Sequence, residues 1–274
     1  MSAIDGKILA TRSDCYKSAR KMTPKGIVVH STGVNNPALK RYVAPDDGNL
    51  GVNIYHNSFN EPGQDVCVHA VIGKDKNGSV KTYQILPFDI CCWGVGNGSK
   101  GSYNYNPPYI QFEMCEDGLA DKAYCTAVYN KAVELCAYLC KTYNLSTNNI
   151  VSHNEARLRG MGSAHVDPDN WWGRHGYTMD KFRAAVKSKL ESPVLDKTGY
   201  KRGSDTIGSY GVKLLLLLAR EKKIQPHNMD VNSCYFGDGT EKAVNYLLKK
   251  WGYRQNGIAG KNFEKRLYEE LKKV

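Results

Sequence analysis

Gly26-Ile-Val-Val-His30-Ser-Thr-Gly33 is the stretch on which the fold turns. Its β-branched centre, opened by one glycine and closed by Ser-Thr-Gly, reads as a short buried strand that ends at a histidine. Tyr109-Ile-Gln-Phe-Glu-Met114 supplies a neighbour: Ile110, Phe112 and Met114 alternate with Gln111 and Glu113, so Glu113 faces away from the apolar side. Residues 66–72 and 80–86 read as two further strands, joined as a hairpin across Lys74-Asp-Lys-Asn-Gly78. Asn149-Ile-Val-Ser152 is a shorter strand-like segment that runs into His153.

Between and after these strands the period changes. Residues 121–143 carry Val128, Ala132, Leu135, Cys136, Leu139 and Cys140 at helical spacing, and Thr178 caps a helix bearing Phe182, Ala185, Val186 and Leu190. The expected fold class is α/β, a mixed central sheet flanked by helices. The periodicity lapses over residues 191–199, where Pro193 and Gly199 mark a linker. Three helices are expected beyond it, near residues 207–224, 240–251 and 261–272, with a turn at Phe236-Gly-Asp-Gly239. The chain therefore divides into a domain over residues 1–190, a linker and a small helical domain over residues 200–274.

Composition narrows the function classes. With 41% hydrophobic and 24% charged residues the chain builds a packed core and is not disordered. Its longest aliphatic run, Leu214 to Leu218, falls far short of the roughly 20 residues of a membrane span. The first fifteen residues lack the cationic head and apolar stretch of a secretory signal, so synthesis in the cytoplasm is expected. The nine cysteines show no disulfide-framework spacing and are read as reduced thiols; Cys136 and Cys140 fit core positions better than a metal site. Residues 200–274 hold 15 Lys and Arg against 8 Asp and Glu, which is +7 of the total charge of +11. Such a surface favours polyanions, and charge alone does not choose among nucleic acid, anionic lipid and anionic wall polymers.

Seven histidines are present, and their setting separates them. His30 and His153 each follow a strand-like segment. His165 and Asp167, two apart in an extended stretch that Pro168 keeps out of helix, project to the same side. Two imidazoles and a carboxylate leave zinc a fourth tetrahedral position for water, the arrangement of a catalytic site; the alternative is a polar hydrogen-bond network without metal.

Six segments occur here in the order found in type 2 N-acetylmuramoyl-L-alanine amidases: Gly26–Gly33, Val80–Pro87, Cys92-Trp-Gly94, Ile110–Met114, Val151-Ser-His-Asn-Glu155 and Ala164-His-Val-Asp-Pro168. The chain resembles that family, which includes phage endolysins and shares its fold with peptidoglycan recognition proteins, over roughly residues 20–190. The resemblance implies zinc (Zn2+) held by His30, His153 and Asp167, a catalytic carboxylate at Glu113, and His165 beside the substrate carbonyl. It also implies the reaction, hydrolysis of the amide between muramic acid and L-alanine in bacterial peptidoglycan. Glu113 would move the proton, and His165 would support the developing oxyanion.

The chain departs from the pattern in two places. Trp93 is followed by Gly94 where the family often has histidine, and Val68 precedes His69 where some relatives place a catalytic tyrosine. His69 is expected either to line the cleft or to be a buried structural residue, and Trp93 either to floor the substrate groove or to pack in the core. His56 is read as a solvated helix residue. The tail resembles the three-helix peptidoglycan-binding modules of wall hydrolases, through Phe236–Val244 and Asn256-Gly-Ile-Ala-Gly260; Tyr235, Tyr246, Trp251 and Tyr253 are candidates for sugar stacking, and a structural or dimerising role stays open.

The whole then reads as a modular endolysin that meets the wall after membrane permeabilisation, with peptidoglycan as partner and anionic wall polymers as a further one. A non-catalytic peptidoglycan-binding protein of the same fold is the alternative. Nucleic acid is not an expected partner, because no helix-turn-helix or zinc-finger spacing is present.

Overall fold

The computed structural model describes residues 3–191 and 194–274, which divide between Leu190 and Glu191 into two compact units. The first unit runs β1 (Gly6–Lys7), α1 (Asp14–Ser18), β2 (Ile27–Asn35), β3 (Ala70–Lys74), β4 (Val80–Gln84), β5 (Ile110–Glu116), α2 (Lys122–Tyr143), β6 (Ile150–Ser152), α3 (His153–Leu158), α4 (Asp169–Arg174) and α5 (Met179–Glu191). The strands form one mixed sheet in the order β1-β4-β3-β5-β2-β6. Only β3 and β4 pair antiparallel, across the expected hairpin.

Side-chain alternation along the central strands creates two different faces. Ile27 and Val29 of β2 and Ile110, Phe112 and Met114 of β5 enter one core with α2, α5, Trp171 and Trp172. Asp121 starts α2 by accepting from the amides of Ala123 and Tyr124, and Asn144 ends it in a left-handed conformation at φ 52. On the opposite face Val28 and Val151 meet Val95, Tyr103 and Tyr109. That opposite face is also the one to which Gln111 and Glu113 turn.

Register then decides what meets at the edge. In the parallel pair β2–β5, His30 lies directly across from Glu113. In the parallel pair β2–β6, Val29 lies across from Ser152, and the next residue in each case is a histidine, His30 within β2 and His153 at the start of α3. His30, Glu113 and His153 are thereby brought towards the carboxyl ends of adjacent parallel strands, where open α/β sheets place their sites.

The second unit packs α6 (Ile207–Glu221), α7 (Asp238–Lys250) and α8 (Lys261–Leu271) around Leu216, Val244, Leu247 and Phe263. Asp196 accepts from the amides of Asn262 and Phe263 at 3.3 and 2.8 Å and so caps α8. Of the stretch read as linker, Ser192 and Pro193 lie outside the described residues, while Leu195 and Asp196 are built into the helical unit. Asp238 and Gly239, expected in a turn, instead open α7 behind the N-cap Gly237, where an acidic side chain suits the helix dipole. His56, expected in a helix, lies in an exposed bend with φ 47. All nine cysteines are free thiols, and no helix among the described residues is long and apolar enough to cross a membrane.

Candidate metal centre

His30 lies in the buried first half of β2, and His153 opens α3, whose N-cap Ser152 forms a reciprocal capping box with Glu155. Asp167 stands just before α4, tied to α3 through its carbonyl, which accepts from the Asn154 amide at 3.2 Å. Its carboxylate accepts from the Ser31 amide at 3.1 Å, and the Ser31 hydroxyl donates to Glu116. Each of the three residues is thus fixed by local backbone structure before any ligand arrives.

The inward atoms converge closely. His30 Nδ1 and His153 Nδ1 are 3.0 Å apart, and they lie 3.4 and 3.3 Å from the two oxygens of Asp167. Four ligands at about 2.0–2.1 Å from a tetrahedral zinc are separated by about 3.3 Å along each edge, so the observed triangle has the size of one zinc face. The outward nitrogens are occupied. His30 Nε2 lies 3.2 Å from Gln111 Oε1, and His153 Nε2 lies 3.1 Å from Ser163 Oγ. Since Gln111 turns its amide nitrogen to Asn104 at 2.8 Å, its oxygen faces His30 and requires an N–H there. Each imidazole so spends its proton on Nε2 and aims a bare Nδ1 at the centre.

Charge follows the same logic. His30 is almost fully buried, and burial pushes its pKa down, so it is held neutral as a metal ligand must be. Two imidazole nitrogens and a carboxylate are a fitting donor set for zinc.

Glu113 stands beside this triangle as the opposite case. Burial, and then the negative charges of Asp167 and Glu116, push its pKa well above the usual carboxylate range. Its Oε2 is sequestered and finds no hydrogen-bond partner among the described residues. An unpaired carboxyl of this kind, beside an ionised one, is poised to exchange a proton.

The remaining candidates separate. His165 is brought to the site: its ring is centred 4.8 Å from that of His153, its Nδ1 is 3.9 Å from Asp167, and its side chain is 66% exposed. His69 is not. It is fully buried, with Nε2 2.9 Å from the Ile90 carbonyl and Nδ1 accepting the Gln111 amide at 3.0 Å, so it offers substrate no surface and instead supports β5 under Gln111. Trp93 is half-buried against the core around Val68 and Leu39, and its Nε1 is enclosed without a partner among the described residues. Gln111, Ser163, Ser31 and Glu116 were not singled out in the sequence. Gln111 was open to notice, lying two before Glu113 on the same strand face, whereas Ser163 sits in a glycine loop without periodicity.

A family model described as N-acetylmuramoyl-L-alanine amidase matches residues 20–170, a stretch that contains all five residues of the cluster from His30 to Asp167. The chain belongs to this family. Two proteins of Bacillus licheniformis are similar to it: a probable N-acetylmuramoyl-L-alanine amidase, 30% identical over 176 residues, and the N-acetylmuramoyl-L-alanine amidase CwlL, 31% identical over 176 residues. Each alignment takes in 60% of this chain and 46% of the relative, so the chain spans about half the length of the curated relatives it matches. Among solved structures, the Staphylococcus aureus hydrolase AmiA in complex with its ligand aligns with a TM-score of 0.48 and 22% identity, covering 68% of this chain and 82% of that one.

Proposed function

We propose that this amidase-family chain is a zinc-dependent N-acetylmuramoyl-L-alanine amidase acting on bacterial peptidoglycan. The observation that carries the reading is the convergence of two bare Nδ1 atoms and the Asp167 carboxylate in a triangle of zinc dimensions. Three electron-pair donors meet there at 3.0–3.4 Å, and a cation is what reconciles them.

A zinc ion held by His30, His153 and Asp167 supplies Lewis acidity and makes a water molecule a competent nucleophile near neutral pH. The chain's own residues perform the rest. Glu113, with its raised pKa and unpaired Oε2, takes the proton from the attacking water and returns it to the departing amine of L-alanine. His165, exposed at the rim, donates to the substrate carbonyl as negative charge develops on it. Ser31 keeps Asp167 turned inward, and the enclosed wall formed by Val95, Tyr103 and Tyr109 limits water on the sheet side. The half-buried Glu113 favours catalysis over mere recognition of the wall, since its enclosed Oε2 faces the metal centre without a hydrogen-bond partner among the described residues.

The setting we infer is that of an endolysin that reaches the wall after membrane permeabilisation, with the basic helical unit as its anchor on peptidoglycan or anionic wall polymers. Tethering of this kind raises the local substrate concentration. Of the aromatic candidates for stacking, Tyr235 and Tyr246 are 49% and 38% exposed, whereas Trp251 is tied to Glu270 by its Nε1 at 2.9 Å. Two variants test the site. Asp167→Ala is expected to lose stoichiometric zinc, and Glu113→Gln to keep the metal while losing roughly 100-fold or more in turnover. Full turnover in Glu113→Gln removes that residue from the mechanism.

A further inference from the structure

Both metal-facing histidines are oriented by hydrogen bonds that trace back to one backbone residue. The Val95 N–H, which can only donate, points at Asn104 Oδ1 at 3.3 Å, and Asn104 Nδ2 donates to the Gly96 carbonyl at 3.4 Å. These contacts fix the Asn104 amide, so the Gln111 atom 2.8 Å from Asn104 Oδ1 is the donor nitrogen and Gln111 Oε1 faces His30. The Val95 carbonyl, which can only accept, takes the Ser163 hydroxyl proton at 3.2 Å, leaving the Ser163 lone pair to accept from His153 Nε2 at 3.1 Å. One arm thus runs from Val95 N–H through Asn104 and Gln111 to His30. The other runs from the Val95 carbonyl through Ser163 to His153.

The glycines on either side of Val95 make room for these two arms. A Cβ on Gly94 would lie 2.8 Å from Gln111 Oε1 and 2.8 Å from Val68 Cγ1. A Cβ on Gly96, whose φ is +66, would lie 2.8 Å from Ser163 Cβ and Oγ. Val95 itself is fully buried, and Gln111 and Asn104 are buried as well, so water does not compete for the Gln111–Asn104 bond, while Ser163 is half-buried. A site with both histidines in the wrong tautomer would present two N–H groups to a cation; the arms exclude that state.

We propose that Gly94-Val95-Gly96 is the positioning element of the metal centre, and that Asn104, Gln111 and Ser163 are positioning residues through which it sets the tautomers of His30 and His153. This rests on the reading of the triad as a zinc site. Gln111 and Ser163 touch the ligands and not the substrate, so their effect is on how firmly the ion is held. Outer partners of metal-bound histidines change affinity by roughly 10–100-fold, which is the size expected for each arm.

The test uses the full-length protein and Zn2+ alone, with affinity measured by competition against a chromophoric chelator and geometry by the visible spectrum of the Co2+-substituted form. Gln111→Leu and Ser163→Ala should each weaken Zn2+ binding by roughly 10–100-fold and shift the Co2+ bands. Asn104→Ala should add nothing on top of Gln111→Leu, because it acts through it, while Gln111→Leu and Ser163→Ala together should multiply. Unchanged affinity in both single variants overturns the proposal, as does a further loss when Asn104→Ala is added to Gln111→Leu. If Gln111→Leu does not fold, Ser163→Ala and Asn104→Ala decide the matter on the same criterion. Failure of the parent protein to bind Zn2+ would instead overturn the metal reading itself.

Discussion

Replacing His69 by glutamine should remove a large part of the acid sensitivity of the first unit. In the native protein the ring is fully enclosed, stacked on Phe88 at 5.8 Å, with Nε2 donating to the Ile90 carbonyl and Nδ1 accepting the Gln111 amide. A second ring proton would face the Gln111 N–H directly. Burial accordingly pushes the pKa down from 6.5 to about 4. The unfolded chain takes up a proton as pH falls through about 6.5, but the folded one does not until about 4, so stability present above 6.5 is lost across that window. A shift of about 2.5 units at 1.36 kcal/mol each corresponds to about 3 kcal/mol. Urea unfolding of metal-free parent and His69→Gln at intervals between pH 7 and pH 4 measures it. The parent should lose about 3 kcal/mol more than the variant over that range. A stability difference independent of pH would refute the neutral, structural role assigned to His69.

Two other perturbations address packing. Asp121→Ala, which removes the acceptor of the Ala123 and Tyr124 amides at the start of α2, should cost about 1 kcal/mol in chemical denaturation and leave zinc uptake unchanged. Lys213 is fully buried and its Nζ donates to the carbonyls of Ser233 and Tyr235 at 2.7 and 2.9 Å. Lys213→Ala should therefore destabilise the helical unit by about 2–3 kcal/mol, read as a lower melting temperature, by removing two charge-assisted hydrogen bonds.

The sheet was legible because its strands are short, β-branched and bounded by glycine, and because Ile110, Phe112 and Met114 alternate cleanly. The parallel order β5-β2-β6 was not, since nothing local in the sequence encodes which strand lies beside which. It is this order, with His30 across from Glu113, that turns scattered residues into one site. Strand β1 and helices α1, α3 and α4 were missed, being too short to show a period. His69 illustrates the opposite difficulty: a histidine in an apolar stretch suits a cleft or a core equally, and only its two backbone partners decide. The arms from Val95 depend on loops meeting through glycines far apart in sequence, Gly98 against Gly160 and Gly96 against Ser163, a contact that no local pattern announces.

The most direct measurement is digestion of purified bacterial walls with the protein as isolated, after chelation, and after zinc is restored. The account predicts new L-alanine amino termini without new reducing sugars, loss of that activity on chelation, and its return with zinc. New reducing ends, or full release of L-alanine termini by the chelated protein, would contradict it.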